Sequence, residues 1–342
     1  MVTIAFLFFN VAATFLCAVV EGSVEQKAQC VDYVNSQRLR VVNCYGNDLK
    51  VVPDNVKDNV ELFDLRMNMI RVLTNDSFTR YRSIKNLYLS RNNIAKVEAA
   101  AFRPLGGLEV LDMELNALAG VPPGLPETLK RLDLSCNPLG TGLGRGNVED
   151  DNARADMARD LREAVSLQVL YMRSCYLRHF PRTGPLPSLV ELDLTDNPIR
   201  EITPSDLAPL CRLAKLTVNE TQLFRDRPRG VCQCRQLKEW AEQYGVQIIG
   251  LDCRRHVEDE PLDCAATTIP GEAVQERDEC MSGWEHRNAA RCWAAFGWGA
   301  MVLVCAAAVL FGVLCLCWRR RNSLDKGRSV PDGEPTYIAY SF

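Results

Sequence analysis

Apolar residues recur through the middle of the chain at the first, fourth, sixth and eleventh positions of an eleven-residue unit, LxxLxLxxNxL. A degenerate copy of the unit lies at 39–49, and another closes the series at 213–223. Within each unit the central LxL residues alternate with polar ones, which predicts a short β-strand with its leucines directed into a core. The six close matches are VELFDLRMNMI (60–70), IKNLYLSRNNI (84–94), LEVLDMELNAL (108–118), LKRLDLSCNPL (129–139), LQVLYMRSCYL (167–177) and LVELDLTDNPI (189–199).

The ninth position of the unit favours asparagine, whose short polar side chain can satisfy turn backbone groups inside a coil, as a small Cys or Thr also can. Stacked units bury one apolar column that no single unit buries alone, and Phe78 and Phe102 are expected to fill it from the convex side. The ninth-position residues are Asn47, Asn68, Asn92, Asn116, Asn137, Cys175, Asn197 and Thr221, spaced by 21, 24, 24, 21, 38, 22 and 24 residues.

This pattern resembles the extracellular leucine-rich repeat family over residues 39–223. The resemblance implies an α/β fold: a right-handed solenoid with a curved parallel β-sheet on its concave face. Such a solenoid needs a cap at each end, because its apolar column would otherwise be exposed there. In this family the caps contain disulfides.

The glycine-rich stretch GTGLGRGNVEDDNARADM (140–157) falls within the 38-residue step, so we interpret it as an insertion into the solenoid. A phosphate loop would require GxxxxGK[ST] or GxGxxG leading into a helix, and an EF-hand would require acidic ligands at alternating positions with a closing Glu. Neither pattern is present. Residues 150–152 are expected to cap a short helix whose core-facing residues are Met157, Leu161, Ala164 and Val165.

Both ends of the chain carry apolar runs. The first, within 1–22, is predicted to be a secretory signal peptide, and the second, 293–318, is long enough to span a bilayer. Three arginines, 319–321, follow that span and predict a type I orientation in the plasma membrane, with the N-terminus outside. The predicted organisation is a signal peptide (1–22), an N-terminal cysteine cap with the first degenerate repeat (23–49), repeats (50–223), a C-terminal cysteine cap with a juxtamembrane stalk (224–285), a transmembrane helix (293–318) and a cytoplasmic tail (319–342).

Eleven of the 15 cysteines lie between the signal and the span, in a compartment where disulfides persist. Cys30 and Cys44 bracket the N-terminal cap and are expected to bond to each other. The family resemblance implies a bond from Cys232 to Cys253 and one from Cys234 to either Cys264 or Cys280. Cys211 and Cys292 are left without an assigned partner. Zinc is the weaker interpretation, because His256 has no suitably spaced partner. Cys175 is expected to be a buried structural thiol, and the role of Cys136 is open.

Outward side chains of the strands should form a concave protein-binding face, acidic in its middle and suited to a basic ligand. The alternative is that the aspartates of the LDL strands serve solubility alone. Two glycosylation sequons are present, at Asn75 on the convex return and at Asn219 on the concave face. The candidate ligand-binding residues are Asp64, Arg66, Tyr88, Asp112, Glu114, Asp133, Tyr171, Arg173 and Asp193.

No catalytic constellation, metal ligand set or cofactor motif is recognisable in the sequence, so we expect no enzyme. The net charge of −3, without a basic patch, argues against nucleic acid as a partner. The expected function is that of a cell-surface receptor or adhesion glycoprotein. The alternative is an auxiliary subunit of a membrane channel that acts through its span and the inner arginines. The C-terminal residues YSF could be recognised by a cytoplasmic peptide-binding domain.

Overall fold

The computed structural model describes residues 30–141, 157–224, 230–253, 264, 268–290 and 309–310. The chain divides into two compact units, 1–281 and 282–342. The predicted signal peptide, most of the insertion, nearly all of the predicted span and the tail lie outside the described residues. Among the helices that are described, none has the length and apolar character needed to cross a membrane.

One sheet of ten strands organises the first unit, and the strands follow chain order across it. Its first two strands are antiparallel, and every later pairing is parallel. A second sheet on the return side pairs β4 (Val72–Leu73) with β6 (Lys96–Val97). The ten strands are β1 (Val31–Val34), β2 (Arg40–Asn43), β3 (Leu62–Asp64), β5 (Asn86–Tyr88), β7 (Val110–Asp112), β8 (Arg131–Asp133), β9 (Val169–Tyr171), β10 (Glu191–Asp193), β11 (Lys215–Thr217) and β12 (Gln247–Ile249).

The ninth-position asparagines form a ladder inside the coil. Asn92 is representative: its Nδ2 donates to the carbonyl oxygens of Leu65 (2.9 Å) and Leu89 (3.0 Å), and its Oδ1 accepts from the N–H of Ile70 (3.0 Å). The asparagines at 68, 92, 116, 137 and 197 each close their own turn and tie it to the preceding repeat. This explains why one residue type recurs at that position.

Cys175 takes the same place in the ladder with fewer bonds. Its Sγ donates to the carbonyl oxygens of Leu134 (3.2 Å) and Arg173 (3.3 Å). The thiol is fully buried, and burial raises its pKa to about 12. Both observations agree with the structural role expected from the sequence. In the next repeat, Asn197 resumes the full pattern.

The residue before the ladder position is left-handed in every repeat, with φ between 51° and 66°. Its N–H still donates to the next repeat, as from Met67 to Ser90 O (3.1 Å) and from Cys136 to Arg173 O (2.7 Å). The strand thus bends into a turn without interrupting the hydrogen-bond ladder, at a conformational cost that non-glycine residues carry. The residues are Gly46, Met67, Arg91, Leu115, Cys136, Ser174, Asp196 and Glu220.

The apolar column is continuous from Val42 to Trp240. Phe78 and Phe102 fill it from the convex side, both fully buried and stacked with ring centroids 6.1 Å apart, as predicted. The short helix expected after the insertion is present at 157–161. Leu161 and Ala164 are fully buried, and Met157 packs partly against the core.

The C-terminal cap is built on a helix, Gly230–Tyr244, whose Trp240 is buried. The expected pairing of its cysteines is wrong: Cys234 bonds to Cys253, and Cys232 bonds to Cys264. Positions two apart on a helix are turned by about 200°, so the two thiols face different partners. Cys234 is the one directed into the core cluster, against which Cys253 packs.

A third bond in this region joins two cysteines that the sequence left apart, Cys211 and Cys280. Residues 271–290 are helical where a stalk was expected, and Cys280 anchors that helix to the segment just before the last repeat. Arg277 adds to the anchor, donating to the Cys211 carbonyl (3.1 Å) and lying 3.9 Å from the Tyr244 ring centroid. At the other end of the solenoid, Cys30 and Cys44 are bonded as expected.

Candidate functional site

The outward side chains of the strands lie in register on the concave face. Asp64 is opposite Tyr88, Tyr88 opposite Asp112, Asp112 opposite Asp133, and Asp133 opposite Tyr171. Asp193 continues this column beside Tyr171. The residues two positions later, which include Arg66, Glu114 and Arg173, form a second column. Backbone hydrogen bonds between neighbouring repeats continue along it, as from Arg91 N to Glu114 O (2.9 Å) and from Cys136 N to Arg173 O (2.7 Å).

At the N-terminal end, Arg66 is held between two tyrosines. Its Nε and Nη2 donate to Asp64 at 2.9 and 2.6 Å, and its guanidinium lies 5.8 Å from the Tyr45 ring centroid and 5.3 Å from that of Tyr88. We call Tyr45, Asp64, Arg66 and Tyr88 the N-terminal stack. Beside it is a depression of about 450 Å³, lined by Val31, Asn43, Tyr45, Asn47, Asp64 and Arg66.

In the middle of the face, carboxylate oxygens of Asp112, Glu114 and Asp133 lie within 4.8 Å of one another, and we call these residues the carboxylate cluster. Burial is the main cause that raises the pKa of Asp112 and of Glu114, and the charge of Asp133 adds to both. Ser90 Oγ donates to Asp112 (2.8 Å). Arg173 lies 3.8 Å from Asp133 and 3.9 Å from Glu114, too far for direct hydrogen bonds. Negative charge is therefore only partly compensated here.

These three carboxylates are also the type of hard oxygen ligand that binds Ca²⁺, but a Ca²⁺ site takes about six to eight such ligands. The cluster supplies three, and the Arg173 guanidinium lies at its edge. The geometry does not favour a metal over a cationic side chain at this position.

On the C-terminal side, Tyr171 lies between two arginines. The guanidinium carbons of Arg131 and Arg173 are 4.9 and 5.5 Å from the ring centroid of Tyr171. These three residues are the C-terminal stack. Arg131 was missed in the sequence analysis. It lies two residues before the outward Asp133, so the alternation of side chains along a strand places it on the same face. Ser135 was expected in the second outward column but was not among the candidate ligand-binding residues. It is buried, and its Oγ accepts from the N–H and Nε–H of Arg173 (3.2 and 3.4 Å).

Asp193 is separate from the carboxylate cluster. Its Oδ1 accepts from the Thr195 hydroxyl (2.6 Å) and the Thr195 N–H (3.0 Å), so its carboxylate is already hydrogen-bonded within its own repeat. Of the two sequon asparagines, both are exposed. Asn75 lies on the return side, where its Oδ1 accepts from Ala100 N (2.9 Å), and Asn219 lies at the C-terminal end of the second column.

The raised pKa values predict how Asp112→Asn changes stability. A carboxyl whose pKa is raised on folding binds more protons in the folded state, so stability falls as pH rises from near its ordinary pKa of 3.8. Asparagine keeps an oxygen that accepts from the Glu114 N–H. Because asparagine does not ionise, it also removes the loss of stability that Asp112 causes as pH rises. We expect a melting temperature about 2 °C higher than wild type at pH 7 and no gain at pH 3.5, measured by circular dichroism.

Asp58→Asn, at an exposed position away from the concave face, is the control for this pH dependence. It should leave the melting temperature unchanged at both pH values. An equal gain for Asp112→Asn at pH 3.5 and pH 7 would show that ionisation is not the cause.

A parallel-sheet solenoid with one short strand and one buried ladder asparagine per turn defines the leucine-rich repeat class. Residues 58–118 and 82–139 match the family described as "Leucine rich repeat", and residues 188–210 match a second leucine rich repeat family. These repeats are thus similar to the leucine-rich repeat family, and both ends of the solenoid carry disulfides. The four disulfides among the described residues are typical of proteins that fold in an oxidising compartment.

Several named proteins are similar to the chain. Nephrocan of Mus musculus is 32% identical over 162 residues, 47% of this chain and 29% of its own length. Epiphycan of Gallus gallus is 35% identical over 162 residues, 47% and 46% of the two chains, and Tsukushi of Xenopus tropicalis 29% over 208 residues, 56% and 59%. The chain therefore spans about half or less of most of these relatives.

A solved structure has the same fold. The crystal structure of human 5T4 (Wnt-activated inhibitory factor 1, Trophoblast glycoprotein) superposes with a TM-score of 0.52, covering 72% of this chain and all of that one, at 20% identity. The likeness supports the solenoid architecture. The arginine cluster and nearly all of the predicted span, on which the channel-subunit alternative depends, lie outside the described residues.

Proposed function

We propose that the protein is a single-pass cell-surface receptor or adhesion protein that binds a protein ligand on its concave face, without catalysis. The leucine-rich repeat fold, the disulfide-bonded ends and the apolar run at 293–318 support this proposal. The N-terminal signal and the arginines after the span would place the solenoid outside the cell.

The observation that carries the proposal is the order already present in the two stacks. Arg66 is fixed by two bonds to Asp64 and lies between two tyrosine rings, and Arg173 is held by Ser135 beside Tyr171. Tyr and Arg are the residue types that most often dominate binding energy at protein interfaces. Side chains that are ordered before binding lose less conformational entropy when a partner docks.

The chemistry of the middle of the face favours a basic segment of the ligand. A lysine or arginine from the partner would complete the charge compensation that Arg173 supplies only in part at the carboxylate cluster, while the flanking tyrosines contact neighbouring residues of the partner. Such a field would also accelerate encounter with a basic partner and weaken at high salt. A glycan at Asn219 would cover the C-terminal end of the face and restrict docking to the repeats before it.

Proximity labelling on intact cells tests this proposal with the full-length chain. The concave variant combines Asp112→Arg with Tyr171→Ala, which reverses charge in the cluster and removes the centre of the C-terminal stack. The matched control combines Arg82→Ala with Arg103→Asp, at exposed positions of the convex turns. We expect one or more extracellular proteins to be labelled by wild type and control, and their labelling to fall at least about tenfold with the concave variant, the effect of about 1.4 kcal/mol.

Both variants should unfold in a single cooperative transition well above the assay temperature, which shows that loss of labelling is not loss of folding. Unchanged labelling by the concave variant would reject the concave face as the binding site. A third chain with the 293–318 segment replaced addresses the alternative: loss of a labelled multi-span membrane protein with that chain alone would favour a channel subunit.

A further inference from the structure

The sheet ends in an exposed apolar edge strand. All four residues of β1 are exposed, and Val31, Tyr33 and Val34 have 60%, 49% and 64% of their surface accessible. Among the described residues, only β2 pairs with it. An apolar edge of this kind offers unpaired N–H and C=O groups to another strand, and proteins generally protect such edges with charge, proline or a covering element.

Hydrogen bonds around the β1–β2 hairpin show which groups are unpaired. The Asn35 N–H donates to Leu39 O (3.0 Å). On the side of β2 away from β1, the Arg40 N–H donates to the Glu61 carboxylate (3.2 Å) and the Arg40 C=O accepts from the Glu61 N–H (2.8 Å). Bonded and non-bonded pairs alternate along an antiparallel ladder. The pair of Val34 with Arg40 is therefore non-bonded, so Asp32 and Val34 direct their backbone groups to the open edge.

We propose that a second copy of this chain pairs with β1 as an antiparallel strand, with Tyr33 of each copy on the two-fold axis. Only residues whose backbone groups face the open edge can form the bonded pairs, which restricts the possible registers. Centring on Tyr33 places Asp32 of each copy opposite Val34 of the other. Two bonded pairs result, each exchanging two backbone hydrogen bonds.

The neighbouring registers are less favourable. Centring on Asp32 sets two like charges directly opposite each other, which destabilises a strand pair. Centring on Val34 forces pairing into the hairpin turn that starts at Ser36. In the Tyr33 register the two rings face each other in a non-bonded pair, where side chains come closest, and Lys57 already neutralises Asp32 within each copy.

The consequence is a continuous sheet made from two ten-stranded sheets, with both concave faces on one surface. This pairing can be tested separately from the ligand proposal, because β1 lies outside the columns from Asp64 to Asp193, and of its residues only Val31 lines the depression beside the N-terminal stack. A chain with the concave substitutions should therefore dimerise as wild type does.

Cysteine cross-linking of the full-length chain in mild detergent tests the register. Tyr33→Cys places two thiols on the axis, about 4.5–5.5 Å apart between Cβ atoms. We expect it to form a disulfide-linked band of twice the monomer mass on a non-reducing gel. Val34→Cys is the matched control: it is one residue away, comparably exposed, and opposite Asp32 rather than its own copy. Wild type shows any background from native thiols, among them the partly exposed Cys136.

Sedimentation of the detergent-solubilised wild type and of Tyr33→Lys gives a second measurement. Wild type should have twice the protein mass of Tyr33→Lys, since lysine at an edge opposes strand pairing. A monomeric wild type, or a Tyr33→Cys chain that cross-links no more than Val34→Cys, would overturn the proposal. Equal masses for wild type and Tyr33→Lys would exclude β1 as the contact.

Discussion

Replacing Asn92 with alanine is expected to lower the free energy of unfolding by about 3 kcal/mol. The side chain is 6% exposed, donates to Leu65 and Leu89, and accepts from the Ile70 N–H. Alanine would leave the buried Ile70 N–H without a partner, at about 1–3 kcal/mol. It would also remove one of the two hydrogen bonds that the carbonyl oxygens of Leu65 and Leu89 each accept, at about 1 kcal/mol for each lost bond, while the bonds from Asn68 and Asn116 remain. Urea denaturation followed by circular dichroism measures the loss.

Asn93→Ala is the control, because it changes the same residue type one position along. Asn93 is exposed, and its backbone N–H, which donates to Ile70 O (3.0 Å), is kept by alanine. Its effect should stay within about 0.5 kcal/mol. Similar losses for the two variants would mean that the ladder does not stabilise the solenoid through its side-chain bonds.

The second large effect is expected from removing the disulfide between Cys211 and Cys280 by a double alanine substitution. The bond closes a sequence separation of 69 residues, so the unfolded chain gains considerable freedom without it. Loop entropy gives a loss of about 4 kcal/mol in unfolding free energy. The helix at 271–290 should also lose its anchor, which hydrogen exchange of the Arg277 amide would report.

Removing the bond between Cys30 and Cys44 provides the comparison. That bond closes only 14 residues, and the same relation gives about 3 kcal/mol. Amide exchange at 271–290 should be unchanged in this variant. Equal increases in amide exchange at 271–290 in the two variants would contradict the anchoring role of the bond between Cys211 and Cys280. Peptide mapping that joined Cys280 to another cysteine would contradict it as well.

Much of the repeat architecture could be predicted from periodicity. The spacing of leucines located the strands, and the column from Asp64 to Asp193 is in the register that the alignment of repeats gives. This works because each repeat is a local unit stacked on its neighbour, so that a fixed sequence offset becomes a fixed spatial offset. The ligand-binding role of that column remains a prediction.

The pairing of the C-terminal cysteines was beyond sequence reasoning. Cys232 and Cys234 are two residues apart in the sequence, and only the orientation of their helix decides that Cys234 faces Cys253. The partner of Cys280 likewise depends on where the helix at 271–290 packs, and Cys211 lies far from it along the chain.

The sequence by itself determined the repeat, its strands, the ladder position and the residues that face outward, because these follow from a local period. Only the tertiary structure decided which outward residues act together. It joined Arg66 with Tyr45 and Tyr88 across three repeats, engaged Asp193 within its own repeat, and left β1 with an open edge. Side-chain partners and unpaired backbone groups depend on distances between separate turns of the chain, which a linear pattern does not contain.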